Sequence, residues 1–335
     1  MHRIKNQTGL TLVELMVALA IGSFLIIGAV QIYNQSRHAF VINESIARVQ
    51  ETAQFAMDTI EADLRMASNW GRTSRSLAIE GRSLAGDPNP KNMPGVPLDC
   101  GADWVLDLAV PVDGANNNFN LPCAATGGAQ AASDLITVRR ATVLPQPPTP
   151  GRLQIQTTRI QGEIFDDGVE PPMFQPVIPA DPVAGTPASS ETHNLMVSSY
   201  YVAQPSVNNL IPGVPTLRRK TLTVNGGAAA IVDQEIAPGV ENLQVQLGID
   251  VDEDNTVDRY VNPGDEIYDP TAAGYVPGAR VITARVWLVV RGVNLELGIQ
   301  DNRDYEPGDV DLGTFNDQIR RMQVSKTILL RNSRT

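Results

Sequence analysis

Three sets of residues in this 335-residue chain have the types and spacing to do chemistry. The first is Asp250, Asp252, Asp254, Thr256 and Asp258, oxygen-bearing side chains at alternate positions in a stretch of turn character. Oxygen donors so spaced can surround Ca2+, and the ion relieves their mutual repulsion. The match to an EF-hand loop is incomplete, because Asn255 stands where the tight-turn glycine belongs and Val261 where the bidentate glutamate belongs. Asp265, Glu266 and Asp269 are the nearby acids that could complete a ring, and a solvated acidic turn is the other reading. The second set is Cys100 and Cys123, too few for a disulfide-dense scaffold and without the CxxC pairing of a zinc or redox site. In an oxidising compartment they can close a loop around Asn116-Asn117-Asn118; elsewhere they read as free buried thiols. The third is a single residue, Glu14, the one charge in the apolar run 10–33. A carboxylate in hydrocarbon must be neutralised, paired or held near the interface.

Other chemistry finds no support. The three histidines, His2, His38 and His193, are scattered, and Ser198 and Ser199 lack a G-x-S-x-G context. There is no P-loop and no dinucleotide fingerprint, so the chain reads as non-enzymatic and energy for any assembly comes from another protein. A net charge of -11 without a long Lys/Arg cluster argues against nucleic acid as a partner.

The elements that must position these residues follow from periodicity. Residues 10–33 are long and apolar enough to cross a bilayer as a helix. Arg3 and Lys5 before them favour a cytoplasmic start, which puts the bulk of the chain on the far side. The run is longer than an ordinary signal h-region and no small-x-small site closes it. Beyond Arg37, Ile42, Ile46, Val49, Ala53, Met57, Ile60 and Leu64 recur at steps of three or four, with Glu44, Arg48, Glu51, Asp58, Glu61 and Arg65 largely off that stripe. No proline interrupts the stretch, so one nearly continuous helix is expected, stopped at Asn69-Trp70-Gly71. From Ser133 onward short β-branched runs predict strands at 135–138, 153–157, 195–202, 217–224, 243–249, 281–290 and 324–330. The proline-rich stretches 145–150 and 174–187 cannot be central strands. The acids from Asp301 to Asp311 read as a polar loop.

The leader and Gly9-Leu10-Thr11-Leu12-Val13-Glu14 resemble the class III signal of type IV pilins and of type II secretion pseudopilins. That resemblance implies cleavage between Gly9 and Leu10 by a prepilin peptidase and methylation of the new Leu10 amine. It also implies that Glu14, as fifth mature residue, faces the amino terminus of a neighbouring subunit. Leu10 departs from the phenylalanine common at the first mature position. Further runs resemble the PilW family of minor type IV pilins, related to the J-type minor pseudopilins. They are Ser199-Tyr200-Tyr201-Val202-Ala203, Leu217-Arg218-Arg219-Lys220, Gly239-Val240-Glu241-Asn242-Leu243-Gln244-Val245-Gln246, the strand from Ala284 to Arg291, and Thr327-Ile328-Leu329-Leu330-Arg331-Asn332. Residues 69–130 carry little of that pattern.

The expected fold is α+β and pilin-like: a long N-terminal helix, membrane-spanning in its first half, packed on a mainly antiparallel β-sheet with elaborated loops. The expected organisation is a leader peptide at 1–9, the long helix at 10–68 with its transmembrane segment at 10–33, and a β-rich periplasmic or extracellular domain at 69–335. The implied function is that of a minor pilin that initiates or caps type IV pilus assembly. Its implied partners are the peptidase, other minor pilins, the major pilin, the inner-membrane assembly platform and, before assembly, membrane lipid. The implied location is the inner membrane, single-pass, and then the pilus. A minor pseudopilin of type II secretion and a pilus-associated adhesin are the alternatives.

Overall fold

The computed structural model of the protein describes residues 11–81, 100–101, 103–171, 190–296 and 298–334. Gly9, Leu10 and the proline-rich stretch at 174–187 lie outside the described residues. The chain divides into two compact units, Met1–Arg48 and Val49–Thr335.

Helix α1 (Leu12–Met66) runs 55 residues without a break, as the absence of proline requires. From Leu12 to Val41 its large apolar side chains are exposed, Phe24 at 82%. The segment is long and apolar enough to cross a membrane. Its polar group Ser23 is satisfied within the helix, the hydroxyl donating to the carbonyls of Leu19 and Ala20 at 2.8 and 2.9 Å. Beyond its chain neighbours and the helix's own nearby backbone, a Cβ on Gly22 or Gly28 would meet nothing within 4 Å among the described residues.

In the second unit the helical stripe is covered. Val49, Ala53, Ala56, Met57, Ile60 and Leu64 are buried, so the period read from the sequence is the period of the core. The helix ends where Ser68 adopts a left-handed conformation, φ 63°. The chain is then stitched to the sheet, Ser68 N–H donating to Arg139 O and Ala141 N–H to Asn69 O. Gly71 follows at φ 90°, where a Cβ would stand 2.4 Å from the His193 ring.

The remaining elements are β1 (Ile79–Glu80), α2 (Asp103–Leu106), β2 (Val112–Ala115), β3 (Leu135–Ala141), β4 (Gln154–Thr157), β5 (Gly162–Phe165), β6 (Glu191–Ala203), β7 (Thr216–Asn225), β8 (Ala228–Pro238), β9 (Val240–Asp250), β10 (Arg259–Val261), β11 (Arg280–Arg291), β12 (Asp304–Tyr305), β13 (Gly313–Thr314) and β14 (Arg321–Leu329). They make an eight-stranded sheet, a four-stranded sheet in the order β10-β9-β11-β14, and the small pair β12-β13. Among the described residues every strand pair is antiparallel except β1 with β5. The long strand β6 organises the larger sheet, pairing with β4, β3 and β7 along its length. The hairpin from β7 to β8 turns at Gly226-Gly227, both at positive φ, as a tight primed turn demands.

One core joins α1 to both large sheets. Ile60 and Leu64 share it with Ile136, Val138 and Tyr200 of the eight-stranded sheet and with Leu243, Val245, Val286, Leu288 and Ile328 of the four-stranded one. The opposite face of the larger sheet has its own apolar cover, including Trp70, Leu106, Leu153, Ile155 and Val197. This explains why β6 is buried on both faces: Tyr200 belongs to the helix side and Tyr201 to the other. Two carboxylates of α1 are buried and paired. Asp63 accepts from Arg140 Nε and Nη2 at 3.0 and 2.8 Å and from the Tyr200 hydroxyl at 2.6 Å. Glu61 pairs with Arg65 at 2.6 Å and with Lys326 of β14.

Carboxylates with opposite tendencies set a pH optimum. Lys326 beside Glu61 and Arg321 beside Asp317 hold those two carboxyls below the usual range. Their stabilisation is present at neutral pH and is lost as pH falls below about 4. Asp134 behaves oppositely: burial pushes it up to about 7, against the N–H groups of Asn117 and Val245 that bond its two oxygens at 2.8 and 2.7 Å. The folded state then holds a proton that the unfolded state has released, so this contribution is full below about pH 4 and is lost as pH rises through 7, a change on the order of 4 kcal/mol. Thermal melts across this range are expected to peak near roughly pH 5. A plateau extending unchanged to pH 8 would contradict the assignment to Asp134.

Candidate assembly and cation sites

Glu14 lies in the first turn of α1, where the local sequence offers it a partner. Thr11 N–H donates to Glu14 Oε2 at 3.1 Å, Thr11 Oγ1 donates to the same oxygen at 2.9 Å, and Glu14 N–H returns a bond to Thr11 Oγ1 at 3.3 Å. This is the reciprocal capping box, and Thr11-x-x-Glu14 is its sequence signature, so the glutamate has a local role at the helix end as well. The carboxylate is exposed, set among the exposed apolar side chains Leu12, Val13 and Leu15.

The acidic turn joins β9 to β10. Asp250, Asp252 and Asp254 each bring a carboxylate oxygen within 4.8 Å of the others, a group that could coordinate a divalent cation such as Ca2+. Asn255 takes φ 66°, so the missing glycine is replaced by the residue that best tolerates left-handed backbone. Thr256 bonds Asp254 Oδ1 through both its N–H and its hydroxyl, at 2.7 and 2.6 Å. Asp258 folds back to accept Val251 N–H at 2.7 Å. Val261 is committed to β10, opposite Leu247. The acids offered as its replacement serve their own loop: Asp265 caps Ile267, Glu266 accepts from Gly274 N–H, and Asp269 accepts from Thr271. A residue from β11, unseen in the one-dimensional reading, enters instead. Arg280 reaches Asp250 Oδ2 from Nε and Nη2 at 3.2 and 3.0 Å. Burial raises the Asp250 carboxyl, but Arg280 and the Asn255 N–H outweigh it and hold the group below its ordinary value.

Cys100 and Cys123 form a disulfide with Cα atoms 4.5 Å apart. Cross-linking residues 23 apart restricts the unfolded chain by about 3 kcal/mol in the loop-entropy account. Trp104 Nε1 donates to Cys100 O at 2.9 Å, tying the bridge to α2. The acids near the C-terminal end do form a polar loop. Arg321 is 2% exposed and pairs with Asp317, Glu241 and Asp301, while Tyr305 donates its hydroxyl to Asp301. These carboxylates converge on the Arg321 guanidinium, which already supplies the positive charge.

Residues 199–332 match the family described as Type IV Pilus-assembly protein W, and residues 4–30 match the Prokaryotic N-terminal methylation motif. Together the two matches are those of a type IV pilus minor pilin of the PilW family. No curated protein and no solved structure matches it. PilW-family proteins are structural, so the chain takes part in pilus or pseudopilus assembly as a minor pilin-type subunit and not as a catalyst.

The PilW-like runs have physical reasons in this fold. Gly239 sits at φ 98°, where a Cβ would stand 2.7 Å from Arg291 O. Glu241 accepts from Arg321, and Asn242 and Gln244 both donate to Ala132 O, at 2.6 and 2.9 Å. Alternation along β7 puts Arg218 and Lys220 on one buried face, where both pair with Asp233 of β8 at 2.7 and 2.9 Å. Tyr201 completes that network, its hydroxyl donating to Asp233 at 2.6 Å.

Proposed function

We propose that this PilW-family chain is a minor pilin that helps initiate or cap type IV pilus assembly in a complex with other minor pilins. The observation that carries the reading is a lone carboxylate, Glu14, near the start of an exposed apolar helix and inside a methylation motif. In this reading a prepilin peptidase removes residues 1–9 between Gly9 and Leu10, and residues 10–33 hold the protein single-pass in the inner membrane. The pilin-like domain 69–335 stands in the periplasm until the subunit enters the pilus. A disulfide between Cys100 and Cys123 suits that oxidising compartment. Glu14 then exchanges its capping bond for the charged amine of a neighbouring pilin, with the assembly platform delivering the subunits. Ca2+ is the cation of the acidic turn in this reading, since carboxylate and carbonyl oxygens are hard donors that suit it.

Deleting the chain from its source bacterium tests the function. Surface pili counted by electron microscopy are expected to fall sharply, with type II secretion unchanged, and to return on complementation. Full piliation with lost secretion would transfer the protein to the pseudopilus, and normal pili with lost surface attachment would favour the adhesin reading.

A further inference from the structure

Resting on the reading of the acidic turn as a Ca2+ site, we infer that Arg280 is the turn's built-in competitor: Ca2+ takes Asp250 from it and drives the guanidinium into the adjoining cavity. The starting point is how Asp250 divides its two oxygens. Its residue is fully buried, and Oδ2 accepts from Arg280 and from Asn255 N–H at 3.0 Å. Oδ1 has neither a hydrogen-bond partner nor contact with solvent. A buried carboxylate oxygen without a partner is costly, and here it belongs to the carboxylate that meets Asp252 and Asp254. A cation held by the three aspartates would give the Asp250 carboxylate the second partner it lacks.

Arg280 belongs to two places at once. Its Nη2 also approaches Asn255 Oδ1 at 3.3 Å, so it grips the turn at two points. Arg280 is also one of the residues lining a cavity of about 560 Å³, with Ser68, Arg75, Tyr275, Gly278 and Asn332. Turn and cavity wall also lie close together at Gly278, where an added Cβ would stand 3.0 Å from Glu253 Oε1. A divalent ion on Asp250 withdraws the negative charge that holds the guanidinium and places a larger positive charge beside it. The cavity is the space Arg280 already borders. Occupancy of the turn therefore sets the charge of the cavity wall, where Arg75 also stands, and by linkage whatever binds that wall sets the affinity of the turn.

The competitor also fixes the class of affinity. One carboxylate is shared with arginine and the bidentate glutamate is missing, which places the site among weak extracellular Ca2+ modules, with a dissociation constant of roughly 10⁻⁴–10⁻³ M. The experiment is calorimetric titration of the full-length protein in detergent with CaCl2, alongside Asp250→Asn, Arg280→Gln and Arg280→Lys. A wild-type sample labelled with 3-fluorotyrosine is followed by fluorine NMR, with Tyr275 assigned from Tyr275→Phe. Expected are binding lost in Asp250→Asn, about tenfold tighter in Arg280→Gln, and near wild type in Arg280→Lys, which keeps the competing charge. The Tyr275 resonance is expected to move on saturation in the wild type. No Asp250-dependent binding in any variant would overturn the Ca2+ reading itself. Asp250-dependent binding that Arg280→Gln leaves equal or weaker, with a still Tyr275 signal, would keep the Ca2+ site and overturn the competitor. The wild-type NMR titration decides the second point even where a variant folds poorly.

Discussion

Glu14→Ala is expected to be processed after Gly9 like the wild type and to fail to enter the filament. Among the described residues the carboxylate's hydrogen-bond partner is Thr11, a local capping pair that serves the helix end. In the proposed docking, a full opposite charge in a water-poor setting would replace that pair. Removing one member of a desolvated ion pair strands the other, at a cost of about 3–5 kcal/mol. At 1.4 kcal/mol per tenfold, incorporation is expected to fall on the order of a hundredfold or more. The measurement is the mass of the mature N-terminus together with the amount of this chain in sheared pili. Glu14→Gln separates the two roles: its side-chain oxygen can still accept from Thr11, but it carries no charge for the amine. Incorporation of Glu14→Gln at the wild-type level would reduce Glu14 to a helix cap and remove the docking role.

The second large effect is expected at Asp63→Ala. This carboxylate, with Arg140 and Tyr200, is the polar centre of the interface between α1 and the eight-stranded sheet, and its side chain is 9% exposed. Alanine leaves a largely buried guanidinium and a buried phenol without their acceptor. A loss of about 3–5 kcal/mol follows from the stranded charge, with a fall in melting temperature on the order of 10 °C. Lys326→Ala provides the contrast. Its side chain is 42% exposed, so although it pairs with Glu61 its removal is expected to cost about 1 kcal/mol or less. Equal destabilisation by the two substitutions, measured by urea unfolding of the full-length protein, would contradict the assignment of Asp63 as the anchor.

What the sequence made legible was whatever repeats with a short period. The stripe from Val49 to Leu64 is the buried face of α1, and each of the seven β-branched runs lies in one of the long strands or in β4. The strand β8 was missed for a physical reason. Its paired face is carried by Asp233 and Glu235, bonded to Arg218 and Lys220, and its first residues are alanines, so apolar alternation is weak. The register that brings those charges together lies in the pairing of β7 with β8, outside the reach of periodicity. The cation turn was half legible for the same reason. Asp250, Asp252 and Asp254 are neighbours in sequence and their alternation was visible. Arg280 reaches them only because β9 and β11 pair Asp250 with Arg280 across the sheet. Asp63 was hidden differently: a charged residue at a stripe position reads as an exception until its partners on β3 and β6 are known.

The way the last turns of α1 are held has a mechanical consequence. Those turns are fastened to β3 by backbone bonds at Ser68 and Ala141, to β3 and β6 by Asp63, and to β14 by Glu61. Tension drawn along this part of the helix would be divided among these attachments to two sheets. Resistance of that kind resides in the unfolding barrier, so a subunit of modest equilibrium stability can still hold for a long time under load.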